Sequence, residues 1–89
     1  SWVPVDEADM SERGWWPYVE TRCLVRLSDG RLGQLRHWFH RGGKLKVRVV
    51  TPAGGQYHVT VPVDLVVAVT LPDRVTEVVP DPVVEAVLS

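Results

Sequence analysis

Residues 35–49 read LRHWFHRGGKLKVRV, and this stretch decides the fold. Its second half alternates without a break: Lys44, Lys46 and Arg48 fall on one side, Leu45, Val47 and Val49 on the other. A period of two marks a β-strand with one face in a core and one in water. Ahead of it, HRGG is a chain-reversal signal. The first half, LRHWF, is then the partner strand of a hairpin, ending in Trp38 and Phe39. His37 and His40 lie three apart, an odd separation that puts them on opposite faces unless the chain turns between them.

The same period extends outward. Before the hairpin, Cys23, Val25 and Leu27 alternate with Arg22, Leu24 and Arg26, and SDG turns the chain into RLGQLRHWF. Gly33 inside that strand suggests a bulge or sharp bend. After the hairpin, TPAGGQ is a further turn, and YHVTV sets Tyr57, Val59 and Val61 on one face. PVDL is too short for an α-helix and reads as a 3₁₀ turn into a last apolar strand, VVAVT. At the N-terminal side, DEADMSERG is helix-compatible, with Asp6 as N-cap and Gly14 as stop, and Pro17 in WWPYVE is expected to hold the chain extended before it. Beyond the last strand, LPDRVTEVVPDP is broken by prolines. Asp81 and Pro82 then open a short helix carrying Val83, Val84, Val87 and Leu88 on one stripe.

The fold expected is all-β: five short strands in a small barrel over residues 21–70. A short N-terminal extension with a helical turn covers residues 1–20, and a proline-broken C-terminal extension covers 71–89. A chain of 89 residues is one domain with a small core.

CLVRLSDGRLGQLRHW followed by KLKVRVVTPAGGQYHVTVPVDLVVAV resembles SH3-like small barrels of the Tudor and KOW type. The likeness lies in an early strand, a DG turn, the bent RLGQL strand, two long alternating strands, and a single turn before a last short strand. The resemblance implies a five-stranded SH3-like barrel that binds proteins, modified peptides or nucleic acid and is rarely an enzyme. The aromatic cage of Tudor domains has no counterpart in the first turn, where SDG carries no ring.

Charge narrows the function classes. Residues 22–58 carry eight basic side chains against Asp29 alone, while residues 1–21 and 59–89 each carry a net −4. A basic middle between acidic ends points either to a polyanion-binding face or to flanks that fold back and neutralise it. On one strand, Lys44, Lys46 and Arg48 recur at about 7 Å, close to the spacing of successive phosphates along one nucleic-acid strand. Arg36 and Arg41 extend the patch, and Trp38 and Phe39 are candidates to pack or to stack on a base. The leading expectation is a non-enzymatic, nucleic-acid-associated module built on these seven residues. The alternative is a protein-interaction or assembly domain, including a homodimer, which uses Trp15, Trp16, Tyr18, Val84 and Val87. Trp15 and Trp16 have a plainer role as covers for an open barrel end.

Other chemistries find little support. His37, His40, His58 and Cys23 are possible zinc ligands, but strand parity separates the first two and no second ligand pair follows, so no metal or cofactor is expected. Cys23 sits at an apolar strand position, and no nucleophile–base or carboxylate pair has a catalytic spacing. A single cysteine excludes an internal disulfide, and no run approaches the roughly 20 apolar residues of a membrane span. A cytoplasmic domain without a membrane partner is the expectation.

Overall fold

The structure, a computed structural model, describes residues 2–8, 10 and 12–71. The strands are β1 (Trp2–Pro4), β2 (Leu24–Leu27), β3 (Leu32–Phe39), β4 (Lys44–Val50), β5 (Gln56–Pro62) and β6 (Val66–Thr70). Among the described residues, helical structure is limited to 3₁₀ turns at Val5–Glu7 and Val63–Leu65 and one short helix, α1 (Trp16–Glu20). The six strands form one antiparallel sheet in the order β1-β6-β2-β3-β4-β5. The described residues are therefore all-β, with six strands rather than the expected five. Among the described residues the ladder ends at β1 and β5 and does not close. The expected C-terminal helix, with Val84 and Val87, lies outside the described residues.

The alternating rows take the faces their period demands. Val25, Leu27, Leu35, Leu45, Val47, Val49, Val61, Val66 and Val69 form one buried cluster with Trp15, Tyr18, Val19 and Cys23. The inward rows of β2 to β6 meet there, so the sheet curls around its own apolar face. Tyr57, expected inward with Val59 and Val61, is 42 % exposed at the far end of edge strand β5.

Two glycines mark close approaches. A β-carbon on Gly33 would stand 2.2 Å from Val47 Cγ1 and 2.9 Å from the Arg48 carbonyl oxygen. Gly33 thus lets β3 lie tightly on β4; the bulge expected there falls three residues later. Gly14, at φ +56°, faces the Trp38 ring, whose Cη2 would lie 2.6 Å from an added β-carbon.

Pro17 opens a helix instead of holding the chain extended. It lies in the first turn of α1, where a missing N–H costs nothing and a fixed φ is already helical. The helix buries Tyr18 and Val19, and Trp15 beside it is 8 % exposed. Further upstream, Asp6 lies within the 3₁₀ turn Val5–Glu7 and caps no helix. The unexpected strand β1 pairs Trp2 with Thr70 and Pro4 with Ala68. Its Trp2 ring lies 5.2 Å under the Arg26 guanidinium.

Candidate nucleic-acid interface

The outer face of β3, β4 and β5 is set by cross-strand register. Lys44 stands between Phe39 and Pro62, Lys46 between His37 and Thr60, and Arg48 between Gln34 and His58. Directly opposed residues share a face of the sheet, so His37 and Phe39 join the basic row. Their placement depends on a one-residue bulge: Leu35 pairs with Val47 and His37 with Lys46, leaving Arg36 as the extra residue. After it, His37 and Phe39 point outward and Trp38 turns toward the core.

His37 and Phe39 make an edge-to-face pair with centroids 4.6 Å apart, and Phe39 is 43 % exposed. Trp16 from α1 meets His37 at 5.4 Å and Trp38 at 5.6 Å, wrapping the end of β3. Trp38 is half-buried against the core cluster, with His40 at 5.6 Å. Of the two aromatic candidates, Phe39 is presented to solvent and Trp38 mainly packs. The two histidines contact different rings, in keeping with their odd separation.

The cations differ in freedom. The side chains of Arg41, Lys44 and Lys46 are exposed and make no hydrogen bond or ion pair among the described residues. Arg48 is held down, donating from Nη1 to Gln56 Oε1 at 2.6 Å and from Nη2 to Gln34 Oε1 at 3.3 Å. Arg36 Nη1 reaches the same Gln34 oxygen at 3.4 Å. Arg22, a non-glycine residue at φ +54°, sends Nη1 to the Arg36 carbonyl at 2.9 Å. Burial first, then the charges of Arg22 and Arg48, pull the Arg36 guanidinium below its ordinary pKa.

Among the described residues, ion pairs join Arg13 to Glu20 and Arg31 to Asp29, and neither Lys44 nor Lys46 takes part in one. Most of the acidic C-terminal flank expected to fold back on the patch lies outside the described residues.

The residues considered for protein docking separate by burial. Trp15 and Tyr18 are 8 % and 2 % exposed, in edge-on contact at 5.9 Å, and belong to the core. Trp16 is half-buried at the rim. Cys23 is buried, with its Sγ 3.1 Å from Thr21 Oγ1. No group of three His, Cys, Asp or Glu side chains is gathered for a metal ion among the described residues. No described helix is long and apolar enough to cross a membrane.

Sequence reasoning missed Arg22, Gln34 and His37 as members of this face. Parity counted from Leu35 places Gln34 outward and was available. The return of His37 to the outer face needs the bulge, and the reach of Arg22 needs its left-handed backbone; neither has a sequence signal. Comparison with protein-family models, curated proteins and solved structures finds no match to the chain.

Proposed function

We propose that the chain is a non-enzymatic nucleic-acid-binding module of the SH3-like small-barrel type, acting in the cytoplasm. The observation that carries this reading is the cross-strand pairing of Phe39 with Lys44 and of His37 with Lys46 on an exposed face. Rings beside cations suit a ligand that has both bases and phosphates. Arg36, Arg41 and Arg48 extend the cationic surface, and Phe39 is the stacking ring. The SH3-like assignment is supported by the β2–β5 meander, the single turn Val63–Leu65, and the return of β6 to the free side of β2.

The test is a titration of labelled single- and double-stranded DNA and RNA against salt. Affinity should fall steeply with salt, and the Lys44→Ala/Lys46→Ala variant should reduce the log–log slope by about 1.5, two phosphate contacts' worth. Absence of binding to all four at low salt would sink the reading.

The edges β1 and β5, unpaired among the described residues, together with exposed Val67 on β6 and Leu71 after it, favour a second reading as an assembly domain. A dimer-sized species by light scattering would support it, and a monomer at high concentration would count against self-association.

A further inference from the structure

We infer that the bulge in β3 builds a seat for one backbone phosphate of single-stranded nucleic acid, held by Arg22, Arg36 and Arg48, with the adjoining base on the His37–Phe39 ridge. The inference rests on the nucleic-acid reading and sharpens it to one strand class and one anchoring point.

Two guanidiniums meet at one amide, and a third, that of Arg22, is held beside them on the Arg36 carbonyl oxygen. Gln34 is 4 % exposed, and its one carbonyl oxygen faces Arg36 at 3.4 Å and Arg48 at 3.3 Å, both long for a charge-assisted bond. A guanidinium carries five N–H donors, and among the described residues Arg36 gives one of them to Gln34. Neither Arg22 nor Arg36 has a described carboxylate within ion-pair distance. Like charges drawn together at a partly buried point repel each other, and burial first, then the charges of Arg22 and Arg48, lower the Arg36 pKa. An anion of two or more oxygens relieves that repulsion and takes the planar donors in pairs.

The bulge couples this seat to the rings. Arg36 is the extra residue, and His37 follows it on the same outer face. Phe39 and His37 present ring edges and faces that an unpaired base can cover and a duplex base, already stacked on its neighbours, cannot. Lys46 and Lys44, opposite those rings, lead the next phosphates along β4.

The experiment is fluorescence anisotropy with a labelled 12-nucleotide oligo(dT) and a 12-base-pair duplex at low salt. The expected result is a single-strand affinity about tenfold above that of the duplex, lowered about tenfold by Arg22→Gln or Arg36→Gln. Phe39→Ala should lower single-strand affinity about tenfold and leave the duplex unchanged. In parallel, the oligo(dT) titration of the wild-type protein is followed by NMR, so that a variant that fails to fold leaves the question decided. The Arg22, Arg36 and Arg48 side-chain Nε–H signals should move together. Equal or tighter duplex binding, or shifts confined to Lys44 and Lys46, overturns the seat while leaving a nucleic-acid module standing. No binding of either ligand overturns both.

Discussion

Gly33→Ala tests the close contact on which the sheet turns. The new β-carbon would meet Val47 Cγ1 at 2.2 Å and the Arg48 carbonyl oxygen at 2.9 Å. Neither neighbour yields easily. Val47 is fully buried and β-branched, with one rotamer strongly preferred, and the carbonyl belongs to the backbone. Gly33 is also paired on both sides, with Val25 on β2 and Val49 on β4, so the strand has no free direction in which to move. Overpacking of this kind costs roughly 1–3 kcal/mol, and two rigid contacts place the cost near the top, at about 3 kcal/mol. For a domain of this size that lowers Tm on the order of 15 °C, read by circular dichroism melting. A double-mutant cycle separates the two contacts. Val47→Ala, costing about 2 kcal/mol alone, removes the nearer clash, so the pair should cost at least about 1 kcal/mol less than the sum of the singles. A Gly33→Ala melt within about 3 °C of wild type, or strict additivity, would refute the close-approach argument.

Two further outcomes follow from single side chains. Hydrogen bonds from the Arg31 side chain and backbone hold the Asp29 carboxyl below its ordinary value. A depressed carboxyl stabilises the fold above its unfolded pKa and loses that contribution as pH falls through the folded one. The Tm gap between wild type and Asp29→Asn should thus be small, present above about pH 4, and close on further acidification; a gap that widens toward pH 2 contradicts the assignment. Cys23, at 3 % exposure, should react with an aromatic disulfide reagent only as fast as the protein opens. Stoichiometric reaction within seconds in native buffer would show that it is not buried as described.

Most of the fold was legible where burial enforces a period. Cys23, Val25 and Leu27, then Leu45, Val47 and Val49, alternate because one face must be dry. The 3₁₀ turn at Val63–Leu65 was readable from its length alone. Strand β1 was not readable: three residues hold too few alternations, and the pairing of Trp2 with Thr70 spans nearly the whole described chain. Pro17 was ambiguous because proline ends one element as readily as it begins another. The interface was half legible. Lys44, Lys46 and Arg48 followed from parity, whereas His37 was weighed as a zinc ligand because nothing in LRHWF distinguishes a regular strand from one with an extra residue.

That extra residue gives the interface an unusual independence from the hairpin that carries it. Without Arg36, Leu35 would still face Val47, and His37, Trp38 and Phe39 would still face Lys46, Leu45 and Lys44. Every inward side chain keeps its place, and the ladder becomes regular. Arg36 is therefore an insertion that the sheet does not need in order to form. A chain one residue shorter would keep the dry face and lose the guanidinium cluster. Such an arrangement lets the guanidinium cluster be gained, lost or retuned by a single codon, with the apolar partners of Leu35 and Trp38 untouched.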